Sequence, residues 1–317
     1  MNKMQLCKEI FSETLLEIAK KDKSIMVLTM DARFSASINN FAENLPEQFV
    51  EVGIAEQNAI GVAAGLSKTG KKPFVFAPAT FLSSRCIDQI KIDVIYSNSN
   101  VKLIGVSGGV SYGPLGYSHY SINDIAIMRT FPNMTVILPS DINQAKSIAK
   151  KLVEYNGPAY VRMGRNPIPE VYEKNIDFEI GVGYTLKDGE DVTIIGTGET
   201  THKILQADEI LNSFGVRARI IDMPTIKPLD KNLILKAAKE IGKIVVVEEH
   251  TIYGGLSSCI AEFLSQNYPI PILPISFPDE FPISGNSEEI FDYYGLSPEK
   301  IVKRVLDFLN TFTKDEL

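Results

Sequence analysis

The stretch AEQNAIGVAAGLSKTGKKPFVFAP (residues 55–78) joins two sequence patterns that together decide the fold. Its first part predicts a helix that ends at Gly70, and KPFVFAP (residues 72–78) predicts a buried strand. Another strand, SIMVLTMD (residues 24–31), precedes it, and another helix, SSRCIDQIKIDVIYSN (residues 83–98), follows. Strands that alternate with helices pair in parallel and carry helices on both faces of the sheet. The chain is therefore predicted to be an α/β protein.

The same alternation continues on both sides of a polar, proline-containing stretch, GRNPIPEVYEKNIDFEIG (residues 164–181). We place a domain boundary near Asn175, so that residues 1–175 form the first domain and residues 176–317 a smaller second one. Each domain is expected to contain a mostly parallel sheet with helices on both faces. The segment KDGED (residues 187–191) is interpreted as a hairpin turn that joins VGYTL to VTIIG. The remaining predicted strands are VKLIGVSGG, MTVILPSD, PAYVRMG, DVTIIGTG, KIVVVEEH and the first part of VRARIIDMPTIKPLD, and the remaining helices are SINDIAIMRTF, DINQAKSIAKKLVEY, TTHKILQADEILNSFG, KNLILKAAKEIG and GGLSSCIAEFLSQN.

Composition and charge exclude several classes of function. The 317-residue chain has a formal net charge of −7 and no block of lysine and arginine, which argues against nucleic acid as its main partner. Its three cysteines, Cys7, Cys86 and Cys259, are far apart and lack CxxC spacing. Neither a disulfide framework nor a metal site is therefore predicted, and we expect free thiols in a reducing compartment.

Both ends of the chain bear on its location. The N-terminal sequence predicts an amphipathic helix with charges throughout and lacks the apolar core of a signal peptide, and no run reaches transmembrane length. The chain ends in KDEL (residues 314–317), a retention signal that acts only on proteins inside the secretory route. We therefore interpret KDEL as a coincidence, and expect a cytoplasmic protein that binds no membrane.

Glu56 places one carboxylate among small and apolar residues at the start of the predicted helix. One interpretation is a first-turn acid that the helix dipole favours. The helix also contains Gly61 and Gly65. Glycine in a helix costs roughly 0.5–1 kcal/mol relative to alanine, so these residues suggest close approach by another backbone or a flat ligand. In such a largely apolar contact a carboxyl favours its neutral form, which can hydrogen-bond a heteroaromatic nitrogen and move its proton.

Longer motifs favour this second interpretation of Glu56. The segments VGIAEQNAIGVAAGLSKTGKKPFVFAPATFLSSRCIDQI, GPLGYSHYSINDIAIMRTFPNMTVILPSD and PAYVRMGR resemble the pyrimidine-binding domain of the transketolase family, which uses thiamine diphosphate. The resemblance continues at VEEHTIYGGLSS, in what is expected to be the transketolase C-terminal domain. It implies that Glu56 hydrogen-bonds N1′ of the aminopyrimidine, and that the cofactor holds the carbanion after C–C cleavage.

The resemblance assigns further residues to cofactor binding. Phe81 matches the aromatic side chain that stacks on the pyrimidine, although a core phenylalanine at a strand end is the alternative. Arg85 falls four residues later on the same helical face, where it serves the pocket, the interface or only the surface. With Glu56 and Ile54 these residues form the expected cofactor-binding set. Glu56 and His119 are the expected catalytic residues.

A second group of residues is expected to contact substrate. His119 follows a glycine-rich turn and matches a family histidine that contacts substrate and transfers protons; a structural loop histidine is the alternative. Arg165 matches the arginine that binds the distal phosphate, and its guanidinium suits any tetrahedral oxyanion. Arg33 follows a strand end, where α/β proteins place ligands. Ser107 stands where the family has a second histidine, and Arg162, nearer its strand, is interpreted as structural.

The motif around His119 departs from the family pattern. Sugar-phosphate transketolases usually carry aspartate four residues before this histidine and glutamine directly after it, whereas this chain has Leu115 and Tyr120. Leucine cannot accept a hydrogen bond from a sugar hydroxyl, which puts the usual acceptor substrate in doubt. We expect a less common ketose with a phosphate or another anionic end, and an aldose acceptor.

The sequence lacks the GDG motif through which the family anchors the diphosphate and Mg²⁺ in a separate domain. This chain is therefore expected to hold half of a cofactor site, as the small subunit of a split transketolase. The partner is then an N-terminal, diphosphate-binding subunit that holds the Mg²⁺. The expected assembly contains two copies of each chain, with the helix of Glu56 near a symmetry axis.

Three alternatives remain open. The β-subunit of a 2-oxoacid dehydrogenase shares the fold, the size and the glutamate, but hands its product to a lipoyl carrier. A catalytically silent scaffold of the same fold is the second, and a fragment of a deoxyxylulose-phosphate-synthase-like enzyme is the third. In the second domain we expect no acid/base cluster, and EEHTIYGGLSS (residues 248–258), which contains His250, is interpreted as a turn that feeds a helix rather than an anion site.

Overall fold

The computed structural model describes residues 5–172 and 176–313 of the chain. The predicted boundary at Asn175 and the terminal KDEL (residues 314–317) lie outside the described residues, so both remain predictions. Within the described ranges, two β-sheets are flanked by helices, which confirms the predicted α/β fold with two domains. None of the helices in these ranges combines the length and the apolar character that a bilayer-spanning helix requires.

The strands of the described residues form two sheets. They are β1 Ile25–Thr29, β2 Phe49–Glu51, β3 Lys72–Pro78, β4 Lys102–Val106, β5 Thr135–Ile137, β6 Ala159–Met163, β7 Tyr184–Lys187, β8 Val192–Gly196, β9 Ala218–Asp222, β10 Thr225–Lys227, β11 Ile244–Thr251 and β12 Ile272–Phe277. The first sheet has the order β10-β5-β6-β4-β3-β1-β2 and the second the order β12-β11-β8-β9-β7. The pairs are parallel except at one edge of each sheet, where β10 and β7 pair antiparallel with β5 and β9.

Helices cover both sheets. They are α1 Cys7–Ala19, α2 Asn39–Asn44, α3 Glu56–Lys68, α4 Ala79–Ser84, α5 Ile87–Gln89, α6 Asp124–Thr130, α7 Ile142–Glu154, α8 Thr200–Ser213, α9 Lys231–Ile241, α10 Leu256–Asn267, α11 Ser287–Tyr293 and α12 Pro298–Thr313. A π-helical segment, Ile90–Tyr96, follows α5, and short 3₁₀ turns occupy Pro46–Gln48 and Gly113–Leu115.

The first sheet is buried on both faces, as the apolar runs of its strands predict. Phe11 of α1 and Ile148 of α7 pack against one face, and Ile60 of α3 and Met128 of α6 pack against the other. All four side chains are fully buried. Burying one such side chain contributes about 1.5–3 kcal/mol to folding, so the two layers hold the strands in register. The parallel pairing brings the carboxyl ends of β1 to β6 to one edge of this sheet.

The single helix predicted at SSRCIDQIKIDVIYSN is wrong, because the structure divides this stretch into three pieces. Helix α4 begins earlier, at Ala79, and ends at Ser84, and the chain resumes with α5 and the π-helical segment. Cys86, between the pieces, has φ −107° and ψ 14°, outside the helical region. The segment beyond it is rich in β-branched residues, which lowers its helix propensity. The break leaves Arg85 at the end of α4, within reach of α3.

The hairpin predicted at KDGED is also wrong. Strand β7, which precedes the turn, pairs antiparallel with β9 and not with β8, the strand that follows the turn. Strand β8 is fully buried and is parallel to β9 on one side and to β11 on the other, so both of its edges are taken. A local turn pattern does not reveal this competition. Likewise, the segment predicted as a loop after β9 contains β10, a strand from the second half of the chain that extends the first sheet.

Candidate active site

The candidate residues follow the carboxyl ends of neighbouring strands, which is where open α/β sheets bind ligands. In sheet order, the connection after β6 carries Arg165, the one after β4 carries Ser107 and His119, the one after β3 carries Phe81 and Arg85, the one after β1 carries Arg33, and the one after β2 carries Ile54 and Glu56. The parallel pairing of these strands places the connections on the same edge of the sheet.

Glu56, Arg85 and Phe81 form one cluster. The Nη1 atom of Arg85 donates a hydrogen bond to Oε1 of Glu56 at 2.6 Å. The central guanidinium carbon of the same arginine lies 4.0 Å from the centre of the Phe81 ring. Glu56 is only 8% exposed, whereas about half of the Arg85 side chain is exposed. The expectation that Glu56 faces a largely apolar contact is therefore wrong for this chain, because sequence spacing does not reveal that the break after α4 brings a guanidinium to it.

Aromatic rings continue from this cluster across the sheet edge. The His119 ring lies edge-on to Phe81, with 5.4 Å between ring centres, and edge-on to Tyr112, with 5.3 Å between centres. The guanidinium carbon of Arg165 lies 5.2 Å from the centre of the Tyr112 ring. Arg85, Phe81, His119, Tyr112 and Arg165 thus form a continuous row, which we call the active-site row. Its two ends carry guanidinium groups, and its middle carries the imidazole.

Lys8 lies near the Arg165 end of the row, and the sequence did not single it out. Its side chain is buried in helix α1, and its Nζ atom donates to the backbone oxygen of Ser35 at 2.7 Å. Burial first, and then the positive charge of Arg165, lower the pKa of Lys8. A lysine among the apolar positions of the amphipathic sequence LCKEIF is the only signal that could have indicated it.

The remaining predicted residues lie at the same edge with different surroundings. Ile54 is 75% exposed and lines, with Glu56 and Arg85, an open groove of about 480 Å³. The Oγ atom of Ser107 is buried and has no hydrogen-bond partner among the described residues, and its backbone has a positive φ of 55°. Arg33 is held away from the row, because its guanidinium donates to Asn39 (2.9 Å) and Glu43 (3.1 Å).

Arg162 is structural, in agreement with its interpretation from the sequence. It is buried, and its guanidinium donates to Asp124 at 3.3 Å and to Glu249 of the second domain at 2.8 Å. Glu199, also from the second domain, contributes a third carboxyl beside it. Burial, and then the negative charge of Glu249, raise the pKa of Glu199 to about 8. The expectation that the second domain holds no cluster of acidic groups is therefore wrong, although this cluster joins the two domains rather than facing the active-site row.

The segment EEHTIYGGLSS forms no anion site. The carboxylate of Glu248 accepts hydrogen bonds from the backbone N–H groups of Leu256 and Ser257, at 2.6 and 2.9 Å, and so fills the N-terminus of α10. His250 is fully buried, and its Nε2 atom accepts from the backbone of Ala126 at 3.3 Å. Both contacts support the interpretation as a turn that leads into a helix.

The chemistry of the described side chains limits what this chain holds by itself. Cys7, Cys86 and Cys259 are free thiols. Residues 5–172 and 176–313 contain no group of three or more histidine, cysteine, aspartate or glutamate side chains that is arranged to hold a metal ion. The row offers a carboxylate, an imidazole, a flat aromatic surface and two guanidinium groups, which suit an anionic organic ligand and proton transfer.

The fold and the active-site row define a two-domain α/β protein with a ligand site at the carboxyl edge of its first sheet. Residues 4–170 match the family described as "Transketolase, pyrimidine binding domain". Residues 181–301 match the family described as "Transketolase, C-terminal domain". The chain belongs to the transketolase family, which depends on thiamine diphosphate.

Individual proteins show the same similarity over nearly the full length. The chain is 50% identical over 310 residues to one subunit of the apulose-4-phosphate transketolase of Phocaeicola vulgatus, a match that covers 97% of this chain and 99% of that protein. It is 35% identical over 296 residues to the 6-deoxy-6-sulfo-D-fructose transketolase subunit SqwH of a Clostridium species, with 93% and 92% covered. A solved structure described as a split gene transketolase, inactive beta4 tetramer, is 39% identical, with a TM-score of 0.88 and 97% and 99% of the two chains covered.

Proposed function

We propose that this chain is the small subunit of a split transketolase that transfers a two-carbon ketol unit from a ketose to an aldose. The observation that carries the proposal is the cluster at one end of the active-site row. There, a buried carboxylate, Glu56, and an aromatic ring, Phe81, are joined by one guanidinium at 2.6 and 4.0 Å. These are the two kinds of group that the family's aminopyrimidine requires, an acid for its ring nitrogen and a flat surface for its ring.

The residues present fit one half of thiamine diphosphate. Glu56, Phe81, Ile54 and Arg85 line the open groove or its margin and would hold the pyrimidine end. When bound, the cofactor supplies a carbon nucleophile that stores the electron pair released by C–C cleavage. The diphosphate end and its Mg²⁺ require other residues, because the sequence has no GDG motif and the described residues contain no metal-ligand cluster.

The chain's own residues then have separate tasks along the row. Glu56 would exchange a proton with the ring nitrogen of the pyrimidine, and Arg85 would keep its carboxylate in place. His119, in the middle of the row, would donate to and accept protons from substrate oxygen atoms. Arg165 would bind the anionic end of the ketose through charge-assisted hydrogen bonds, with Lys8 adding positive charge nearby. Ser107, with an unpaired buried hydroxyl, offers a further polar contact.

The substrate is proposed to be a ketose with a phosphate or another tetrahedral anionic end. Two relatives are named for such substrates, one a sugar phosphate and one a sulfo-sugar. Arg165 suits either group, since a guanidinium forms paired hydrogen bonds with tetrahedral oxyanions. Leu115 is 55% exposed at the loop that carries His119, and its apolar side chain replaces the usual aspartate at a place that substrate can reach.

The partner is proposed to be a diphosphate-binding subunit, in an assembly with two copies of each chain. Helix α3 starts with Glu56 and exposes Gln57, Gly61 and Gly65 on one face. Within this chain, no heavy atom lies within 4 Å of a Cβ built on Gly65, and for Gly61 the nearest is 4.0 Å away. These glycines therefore leave room for a second backbone. A similar chain was solved without activity as a beta4 tetramer, which agrees with a small subunit that needs its partner.

The decisive experiment is reconstitution with the partner. The purified complex is assayed for ketol transfer from a panel of anionic ketoses to aldoses, with Mg²⁺ and thiamine diphosphate, and compared with the two separate chains. We expect turnover only from the complex, and loss of at least 100-fold for Glu56→Gln, since the proton relay supplies roughly a factor of 10²–10⁴. Full turnover from this chain by itself would overturn the split site, and unchanged turnover of Glu56→Gln would favour a scaffold.

The same complex separates the 2-oxoacid dehydrogenase alternative. A lipoyl domain is offered as acceptor in place of an aldose, with a 2-oxoacid as donor. Transfer to the lipoyl group without transfer to an aldose would replace the present proposal by that alternative. The match of both domains to transketolase families favours the aldose acceptor.

A further inference from the structure

The loop that carries His119, residues 107–121, lies against the second domain along much of its length. The backbone N–H of Val110 donates to Oε1 of Glu249 at 2.7 Å, and Oγ of Ser287 donates to the backbone oxygen of Val110 at 3.4 Å. Further along, the loop meets residues 281–286, which we call the docking segment. The second domain therefore forms the bed on which the His119 loop rests.

Two glycines allow the loop and the docking segment to touch without intervening side chains. Gly113 has φ +52°, and a Cβ on it would lie 2.8 Å from the backbone oxygen of Gly285. Gly116 has φ +71°, and a Cβ on it would lie 2.6 Å from Oγ of Ser284. The backbone N–H of His119 donates to the oxygen of Gly116 at 2.9 Å, so the imidazole is one turn away from this contact.

Tyr120 ties the two segments together. Its side chain is 2% exposed, and its hydroxyl lies 2.6 Å from the backbone oxygen of Gly113 in the loop and 3.1 Å from that of Ile283 in the docking segment. Burial raises the pKa of this phenol, and Ser284 and the backbone of Gly285 donate to its oxygen. The hydroxyl is therefore a protonated donor and an acceptor at once, at the point where the domains meet.

The ring stack on the other side of His119 makes its position sensitive to this tie. His119 contacts Phe81 and Tyr112 edge-on, with 5.4 and 5.3 Å between ring centres. Tyr112 and Tyr120 lie on the same short loop, on either side of Gly113 and Gly116. A loop released from the docking segment would shift both the imidazole and the Tyr112 ring beneath Arg165.

We propose that Tyr120 is a positioning residue through which the second domain holds His119 in the active-site row. The inference rests on the proposed function of that row and adds a role for the second domain. It also accounts for the departure at this position: the tyrosine points into the domain contact, so its hydroxyl serves the loop and not the substrate.

The test uses Tyr120→Phe, which removes the hydroxyl and keeps the ring, in the complex reconstituted with the diphosphate-binding partner. We expect kcat to fall roughly 3- to 10-fold, the value of one neutral hydrogen bond, with the KM of the anionic ketose nearly unchanged because Arg165 still binds its anionic end. In the chain by itself, amide hydrogen exchange of residues 107–121 should become faster. The exposed Tyr293→Phe is the matched control and should change neither quantity.

A double-mutant cycle distinguishes positioning from general destabilisation. If Tyr120 acts through His119, the variant His119→Ala/Tyr120→Phe should be no slower than His119→Ala. Multiplying effects of the two changes, or an unchanged kcat and exchange rate in Tyr120→Phe, would overturn the inference. Should Tyr120→Phe not fold, Ser284→Ala, which removes one donor to the same hydroxyl, is held to the same outcomes. Loss of turnover in Glu56→Gln with no effect of Tyr120→Phe would refute only this inference and leave the proposed function standing.

Discussion

The guanidinium of Arg85 contacts both groups to which the family resemblance assigns the pyrimidine, with Nη1 at 2.6 Å from the Glu56 carboxylate and its central carbon at 4.0 Å from the centre of the Phe81 ring. Nothing in the spacing of these three residues along the chain shows that one side chain reaches both others. The contact depends on the end of α4 at Ser84, which leaves Arg85 between α3 and α4.

The first prediction concerns this contact. Replacing Arg85 by alanine should weaken thiamine diphosphate binding to the complex about three- to tenfold, a modest effect because Arg85 is half exposed and its ion pair is partly screened. Calorimetric titration of the complex with the cofactor and Mg²⁺ measures it. Arg217→Ala, an exposed arginine of the second domain, is the control. Tighter binding of the variant would show that Arg85 competes with the pyrimidine for Glu56 and Phe81.

The second prediction concerns Arg165 and the anionic end of the substrate. Arg165→Leu should raise the KM of an anionic ketose roughly 10- to 100-fold and change kcat about twofold or less, because it removes binding that is equal in the ground and transition states. Arg165→Lys should fall between the two, since lysine keeps the charge without the paired donors. Steady-state kinetics with an anionic ketose and its uncharged analogue measure the effect. An equal loss for the uncharged analogue would contradict the assignment.

The third prediction concerns the glycines of the His119 loop. Gly113→Ala should destabilise the chain by about 1–3 kcal/mol, because its positive φ disfavours alanine and the added Cβ would press on the Gly285 backbone at 2.8 Å. Gly70→Ala is the matched control, since Gly70 also has a positive φ, of 82°, and no atom near its Cβ position. Urea unfolding gives both values. Equal losses for the two variants would mean that the contact with the docking segment contributes nothing.

The fourth prediction is a dependence of stability on pH that arises from Glu199. Its carboxyl packs against Gly164 beside Arg162 and Glu249, with Lys203 and Glu288 also facing it. A folded pKa of about 8 lies above the ordinary value for glutamate, so the folded state favours the protonated form. The contribution of Glu199 is therefore most favourable below its unfolded pKa and is lost as the pH rises through the folded value.

We expect wild-type stability relative to Glu199→Gln to fall by about 1–3 kcal/mol between roughly pH 5 and pH 9. The difference between the two proteins, measured by urea unfolding across this range, cancels groups that titrate in both. One such group is Lys102, whose pKa burial lowers to about 7. A difference that stays constant with pH would show that Glu199 is ionised in the folded state throughout.

The fifth prediction concerns assembly at helix α3. Gly65→Arg should leave the folded chain intact, because no atom lies within 4 Å of its Cβ position and glycine in a helix is itself unfavourable. In the presence of the partner, the same change should reduce the mass of the complex seen by light scattering. Ser213→Arg, at an exposed position of α8, is the control and should assemble normally. Normal assembly of Gly65→Arg would place the interface elsewhere.

Much of the site could be predicted because its chemistry is local in sequence. Glu56, Phe81, His119 and Arg165 each stand in a motif that resembles the transketolase family, and each follows a predicted strand of a parallel sheet. Since all carboxyl ends of such a sheet lie on one edge, these residues were bound to fall on the same side of the molecule. Ile54 and Ser107 follow by the same reasoning, and the assignment of all six remains a proposal for the tests above.

Other features needed the folded chain. Lys8 approaches Arg165, and Tyr112 joins His119 to Arg165, but neither stands in a motif that marks it. Arg33 follows a strand end like the others, yet Asn39 and Glu43 of α2 bind it. These outcomes depend on side-chain reach across elements that are distant in sequence.

The sequence by itself determined the alternation of strands and helices, and with it the sheet edge at which the site lies, because hydrophobic periodicity and the handedness of parallel connections are local properties. Only the tertiary structure decided which partners each strand and side chain took. Strand β7 pairs with β9 rather than across its own turn, β10 crosses to the first sheet, and Tyr120 reaches the second domain. In each case several partners are compatible with the local sequence, and the choice is made by which edges and polar groups the rest of the chain has already occupied.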